Sequence, residues 1–185
     1  MQIRKGNDRI VFVFPSLGIV VKLPIVHFFF AARCSWQMFF HCGAKGRRWK
    51  ILKRYLEFPT KNMSSFRWFL FRGLSANWNE FRFYRKTKNP FLQPTYFSLF
   101  GLLNIQRFDE PCQLEETGFW WQLLELTNGK VSDDGHHFEE PRNFCFHNGK
   151  LRILDYGSRR THDVVLQYGT KIVELFNPEY SKPAR

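Results

Sequence analysis

Two short apolar runs stand near the start of the chain, Asp8–Phe14 (D-R-I-V-F-V-F) and Ile19–Leu23 (I-V-V-K-L). Both are rich in Val, Ile and Phe, a composition that predicts β-strands. Pro15-Ser16-Leu17-Gly18 between them has the composition of a turn, and Pro24 closes the second run, so the pair reads as a hairpin. Lys22 stands inside its second strand, among apolar neighbours. The period then changes. In R-R-W-K-I-L-K-R-Y-L-E-F (Arg47–Phe58), Trp49, Leu52, Tyr55 and Leu56 recur at helical spacing and Arg48, Lys50, Lys53 and Arg54 fill the other positions. This predicts a basic amphipathic helix.

Ser64–Arg72 also reads as helix. Ser75-Ala76-Asn77 has the form of a start signal for a further helix, N-W-N-E-F-R-F-Y-R-K-T, which Asn89-Pro90 ends. Two strands are expected around Tyr96–Phe100 and Leu102–Ile105, then an acidic loop over Asp109–Thr117. Phe119–Leu126 fits a strand or the buried edge of a helix. Phe144–Phe146 and Leu151–Leu154 flank His147-Asn148-Gly149, where Asn-Gly marks a hairpin. Thr161–Phe176 predicts a last helix. The element order gives an α+β fold with an antiparallel sheet and helices, read as a single unit over 1–185 with residues 23–76 as a basic helical insertion.

Charge sharpens this division. The net charge is +12, and Leu23–Pro90 holds fourteen Lys or Arg against two acids, Glu57 and Glu80. That one segment carries the whole excess. It is also aromatic, with Trp36, Trp49, Trp68, Phe69, Phe71 and Trp78 interleaved with Arg33, Arg47, Arg48, Lys50, Arg67 and Arg72. Such a surface suits nucleic acid, an acidic protein or anionic lipid. The aromatics also fit the core of an added helical layer. Ile10–Phe40 is strongly apolar, but Pro15, Lys22, Pro24, His27 and Arg33 interrupt it, so no spanning helix and no secretory signal is expected. Four cysteines without C-x-x-C spacing fit reduced thiols and a cytoplasmic location better than a disulfide framework. His41-Cys42, His136-His137 and Cys145-Phe146-His147 match no zinc spacing.

The chemistry gathers around four residues: Lys22 in a strand, Glu80 in a helix, Asn143 after Pro141, and Asp155 at the end of K-L-R-I-L-D-Y-G-S. Phosphoryl transfer from a nucleotide uses such a set. A lysine holds phosphates, a helix glutamate orients it, and an asparagine and an aspartate hold divalent metal. The run P-R-N-F-C-F-H-N-G-K-L-R-I-L-D-Y-G and the strand V-V-K-L resemble the corresponding motifs of the protein-kinase-like superfamily. The resemblance covers Asp8–Lys22 and about Asn77–Gly157. It implies a reduced kinase-like fold with ATP and Mg²⁺ as cofactors, Lys22 on phosphate, Glu80 paired with Lys22, Asn143 and Asp155 on metal, and Tyr156 packed in the core.

The departures are as informative. The position of the family's catalytic aspartate is Phe138, which cannot accept a proton; Glu139 beside it is the available base. Gly6 alone precedes the first expected strand, so no glycine-rich loop is expected over the phosphates. Only 30 residues follow Asp155, too few for the family's large helical lobe. Two functions therefore stand open. One is an atypical ATP-dependent phosphotransferase. The other is an inactive kinase-like module that grips nucleic acid or an acidic protein through Arg47, Arg48, Lys50, Lys53 and Arg54. Plainer readings stand beside both: a turn at Asp155-Tyr156-Gly157, a lysine snorkelling from an edge strand at Lys22, and a surface pair of Glu80 with a neighbour such as Arg85.

Overall fold

The apolar alternation of the first strands folds into one side of a five-stranded antiparallel sheet. The structure is a computed structural model that describes residues 1–41, 47–57 and 66–181. Its strands are β1 (Gln2–Lys5), β2 (Arg9–Phe14), β3 (Ile19–Pro24), β4 (Thr95–Ser98) and β5 (Asn104–Arg107), in the spatial order β1-β2-β3-β5-β4. The predicted hairpin is present, with Val13 opposite Val20 and Val11 opposite Lys22. Gln2–Lys5 is an addition to the expected elements. It pairs with β2 along a fully exposed edge, and its Arg4 and Lys5 are the kind of charged residue that blunts an open edge.

Between β3 and β4 run α1 (Phe28–His41), α2 (Arg48–Glu57) and α3 (Phe66–Thr87). The described residues of the predicted insertion are thus largely helical. The predicted helix ends at Phe58 and Ser64, Cys42 of the histidine–cysteine reading, and the side chain of Arg54 lie outside the described residues. Two predicted helices, Ser64–Arg72 and the one opening at Ser75-Ala76-Asn77, prove to be the single helix α3. Asn77 does not cap anything. It is buried, and its amide donates to the Lys22 carbonyl (3.3 Å) and the Gly101 carbonyl (2.9 Å). A capping residue type has been recruited to tie α3 to the sheet, so the helix runs through it.

The remainder builds the main apolar core. α4 (Glu116–Leu126) resolves the ambiguous Phe119–Leu126 stretch as helix. Phe119 and Leu123, four residues apart, are its buried pair, and the Glu115 carboxylate caps it by accepting from the Thr117 and Gly118 amides. Asn128 and Gly129, both at positive φ, stop it. A short helix α5 (Gly135–Phe138) leads to the hairpin β6 (Phe144–His147) and β7 (Lys150–Ile153). Asn148 and Gly149 take φ of 51° and 73°, as a type I′ turn demands. Ser158 caps α6 (Arg159–Leu175), which buries Thr161, Val164, Val165, Gly169, Ile172 and Val173. Phe91, Phe119, Phe138, Phe144, Ile153 and Tyr156 pack with that face into one cluster.

Among the described residues no helix is long and apolar enough to cross a membrane. The described cysteines Cys34, Cys112 and Cys145 are free, and burial pushes the Cys112 and Cys145 thiols up to about 12.

Candidate functional site

Alternation along β2 places Arg9, Val11 and Val13 on one face, and Val20 and Lys22 of β3 share it. That face roofs a cleft of about 720 Å³ whose opposite wall is Leu154, Asp155 and Gly157 after β7. The volume lies within the range of small-ligand sites, roughly 300–1,000 Å³.

Four charges meet at the inner end of the cleft. Lys22, 5% exposed, donates through Nζ to Glu80 Oε2 (3.0 Å) and to the Leu154 carbonyl (2.9 Å). Glu80 is fully buried on α3 and also accepts from Arg9 (2.5 Å to Oε1) and from the Asn104 amide (3.1 Å). Arg9 spans the gap, reaching Asp155 Oδ2 at 2.6 Å. Two cations and two anions form a closed, neutral network, which is what permits such charges to be buried at all. Burial draws the Lys22 ammonium below its ordinary value, only partly offset by Glu80. Burial alone would raise the Asp155 carboxyl, but the charges of Arg9, Lys22 and His137 outweigh it and hold the group well below the usual carboxylate range.

This geometry decides between the plainer readings of the strand and helix residues. β3 lies between β2 and β5, so Lys22 is interior and not at a sheet edge. Glu80 faces inward to Lys22 and Arg9, not outward to Arg85.

The segment after β7 is fixed from several sides. Tyr156 is fully buried; its hydroxyl donates to the Gln93 carbonyl (2.6 Å) and meets Thr95 Oγ1 (2.6 Å). His162 Nε2 lies 2.7 Å from the Tyr156 carbonyl, and its ring stacks on Phe83 at 3.7 Å. Gly157 must be glycine for a packing reason: a Cβ there would meet Ala76 of α3 at 2.9 Å from Cβ and 3.0 Å from the carbonyl oxygen. Asp-Tyr-Gly is therefore the seam between α3 and the apolar core, more than a turn after a strand.

The other expected residues are placed differently. Phe138 is fully buried in the core cluster. Glu139 is exposed, with its carboxyl folded over Gly135, and it does not line the cleft. Glu139 is the C-cap of α5, its amide bonding the Gly135 carbonyl, and this turn carries its side chain away from Asp155. Asn143 is half-buried and does not line the cleft; its carbonyl accepts from the Leu154 amide (2.8 Å), next to Asp155 in the chain, and its side-chain amide donates to the His137 carbonyl (3.2 Å). Arg47, Lys50 and Lys53 are exposed at α2 and Arg48 is half-buried, all on the insertion and none lining the cleft.

Arg9 and His137 line the cleft without having been expected there. The signal for Arg9 was its register: it is two residues before Val11 on the face that carries Lys22. His137 lies 3.0 Å from Asp134 Oδ1 and 3.9 Å from Asp155 Oδ1. Burial works against its protonation, but the hydrogen bond to Asp134 and the charges of Asp155 and Asp134 raise it above the ordinary histidine value. Nothing in a linear reading pairs Asp134 with His137 before the turn of α5 is known.

The donor set bears on metal. Asp155 is 36% exposed toward the cleft, but Arg9 already holds one of its oxygens. Among the described residues no group of three or more His, Cys, Asp or Glu could hold an ion. Asp155 offers one oxygen not held by Arg9, enough for a single contact to an ion that brings its other ligands with it. No family model, curated protein or solved structure matches the chain.

Proposed function

We propose that the chain is a degenerate kinase-like protein that binds a nucleoside triphosphate, ATP in the first instance, in the cleft under β2 and β3, and that it has lost efficient phosphoryl transfer. The observation that carries this reading is the Lys22–Glu80 ion pair, 3.0 Å long and buried, beside Asp155 in an open cleft. A strand lysine paired with a glutamate of the following long helix is how kinases present a cation to nucleotide phosphates. The third-strand position of Lys22, the placement of α3 between β3 and β4, and the hairpin that delivers Asp155 support the same reading.

In this reading Val11, Val13 and Val20 give the apolar wall for a base, and Lys22 and Arg9 attract the phosphates, which compete with Glu80 and Asp155 for these cations. Asp155 and Asn143 are the residues that would hold magnesium carried in with the nucleotide. The ion would supply charge neutralisation at the phosphates.

Loss of transfer rests on the base. General-base catalysis contributes about 10²–10⁴-fold, and neither Phe138 in the core nor Glu139 outside the cleft supplies it. Arg9 on Asp155 adds to this, because the guanidinium competes with a metal for that carboxylate.

Thermal unfolding with and without ATP–Mg²⁺ tests the reading. At about 100-fold over Kd a ligand adds roughly 2.7 kcal/mol, a shift of several degrees for a chain of this size. The expected result is a shift in the wild type that Lys22→Ala reduces strongly and from which Asp155→Asn removes the magnesium dependence. No shift with any nucleotide, with or without magnesium, would overturn it.

A further inference from the structure

α1 is built inside out. Ala31 is fully buried, whereas Phe29, Trp36 and Phe40 are 89%, 64% and 41% exposed. Phe29, Arg33, Trp36 and Phe40 follow helical spacing, so they form a single outward stripe. An outward face of a globular helix is ordinarily polar. Here it is aromatic, with one arginine and no acid. α2 continues the pattern with Trp49 72% exposed beside exposed Arg47 and Lys50. Phe28 and Phe30 are each about half exposed at the start of α1.

Contiguous exposed apolar surface of this kind marks an interaction site. Aromatic side chains on a helix flanked by Lys and Arg are the composition of a helix that lies in the headgroup region of a bilayer. α1 has 14 residues, about 21 Å of helix, against roughly 30 Å for a hydrocarbon core, so it suits lying along a membrane and not crossing it. The charge is complementary to anionic lipid, whose surface potential attracts each cation held near it. We propose that α1 and α2 form a docking surface for an anionic phospholipid bilayer, with Phe29, Trp36 and Trp49 entering the interface and Arg33, Arg47 and Lys50 facing the headgroups.

Single-stranded nucleic acid is the rival, and the rings argue against it. Bases stack on free ring faces. Trp36 packs on Phe40 at 4.3 Å, and Trp49 meets Phe39 edge-on at 4.9 Å, so these rings form a clustered apolar ridge and not a row of open platforms. The surface is separate from the nucleotide cleft and does not depend on how that cleft is read.

The test is co-sedimentation of the full chain with phosphatidylcholine vesicles made with and without phosphatidylserine, alongside binding of a single-stranded oligonucleotide. The expected result is binding at least about tenfold tighter to the phosphatidylserine vesicles, weakened as salt shortens the screening length. Phe29→Ser with Trp49→Ser should lower it by roughly tenfold or more through lost apolar burial. Arg33→Gln with Lys50→Gln should lower the preference for phosphatidylserine by roughly tenfold, while leaving the fold intact by circular dichroism. Absence of vesicle binding, unchanged binding in either correctly folded variant, or tight oligonucleotide binding without vesicle binding would each overturn the proposal.

Discussion

The inner end of the cleft and the α1–α2 surface invert the usual distribution of polarity in opposite senses. At the cleft four ionisable side chains, Arg9, Lys22, Glu80 and Asp155, are drawn inside or to the rim of the protein. On α1 and α2 large aromatic rings are turned outside. The two inversions are stable for different reasons. The buried charges are held because each has a partner of opposite sign, so the network is a unit and its members are not interchangeable. The most exposed rings, Phe29 and Trp49, stay largely in water in the folded chain, so they are expected to contribute little to folding. The difference teaches that the first region is constrained by the fold, whereas the most exposed positions of the second are not.

The comparison breaks most sharply at Glu80. Glu80→Ala leaves the Lys22 ammonium without its carboxylate and Arg9 with Asp155 alone. Removing one partner from a buried pair typically costs about 3–5 kcal/mol, so urea unfolding should show a midpoint far below the wild type. A loss under about 1 kcal/mol would mean that solvent enters the network freely, and that it is no more buried in energetic terms than a surface pair.

The next effect comes from pH. The Asp155 and Asp134 carboxyls are both depressed. For Asp134 burial opposes the shift, and the hydrogen bonds from His137 and Thr161 overcome it. A depressed acid adds stability that is present above its unfolded value, about 4, and is lost as pH falls through the folded one. His137 is raised, so its contribution is full below about 6.5 and is lost as pH rises through its folded value. Stability measured by urea unfolding across pH should therefore fall on both sides of a mildly acidic maximum. His137→Gln should flatten the alkaline limb. An alkaline limb that is unchanged in that variant would place the responsible group elsewhere.

Tyr156→Phe should cost about 1 kcal/mol, the net value of an ordinary buried hydrogen bond. The ring stays in the core, and the hydroxyl's contacts to the Gln93 carbonyl, Thr95 and Gln106 are lost. A chemical melt of the variant measures this. A loss several times larger would mean that the hydroxyl organises the chain around Asp155 and would predict weaker nucleotide binding in the same protein.

How much of this was legible follows from where each signal resides. The β2–β3 hairpin, the Asn-Gly turn and the last helix were readable because local composition and tertiary structure agree there. β1 was not, because Q-I-R-K is polar and exposed and only its pairing with β2 makes it a strand. α3 looked like two helices because Asn77, a capping type, spends its amide on the sheet. Lys22, Glu80 and Asp155 could be picked out one by one from the motifs they resemble. Arg9 needed the register of a hairpin, and the displacement of Glu139 needed the turn of α5, neither of which a linear pattern contains. The outward aromatic stripe of α1 was visible as composition but not as direction, since helical spacing says which residues share a face and not which way the face points.

The smallest expected effect is therefore the most telling. Phe29→Ser and Trp49→Ser remove large apolar side chains, a change that inside a core costs about 3–5 kcal/mol. At positions 89% and 72% exposed, the expected change in folding stability lies within about 0.5 kcal/mol. A urea series on the two single variants reads this directly. Near-neutral values would show that the rings do not hold the fold together, and with Glu80→Ala strongly destabilised they would set the two inversions at opposite ends of one scale. A loss of 2 kcal/mol or more, about the size of a buried aliphatic truncation, would mean that these rings are covered in solution. The same protein would then have to be examined for self-association through α1, because only a covering surface could give an exposed phenylalanine that weight.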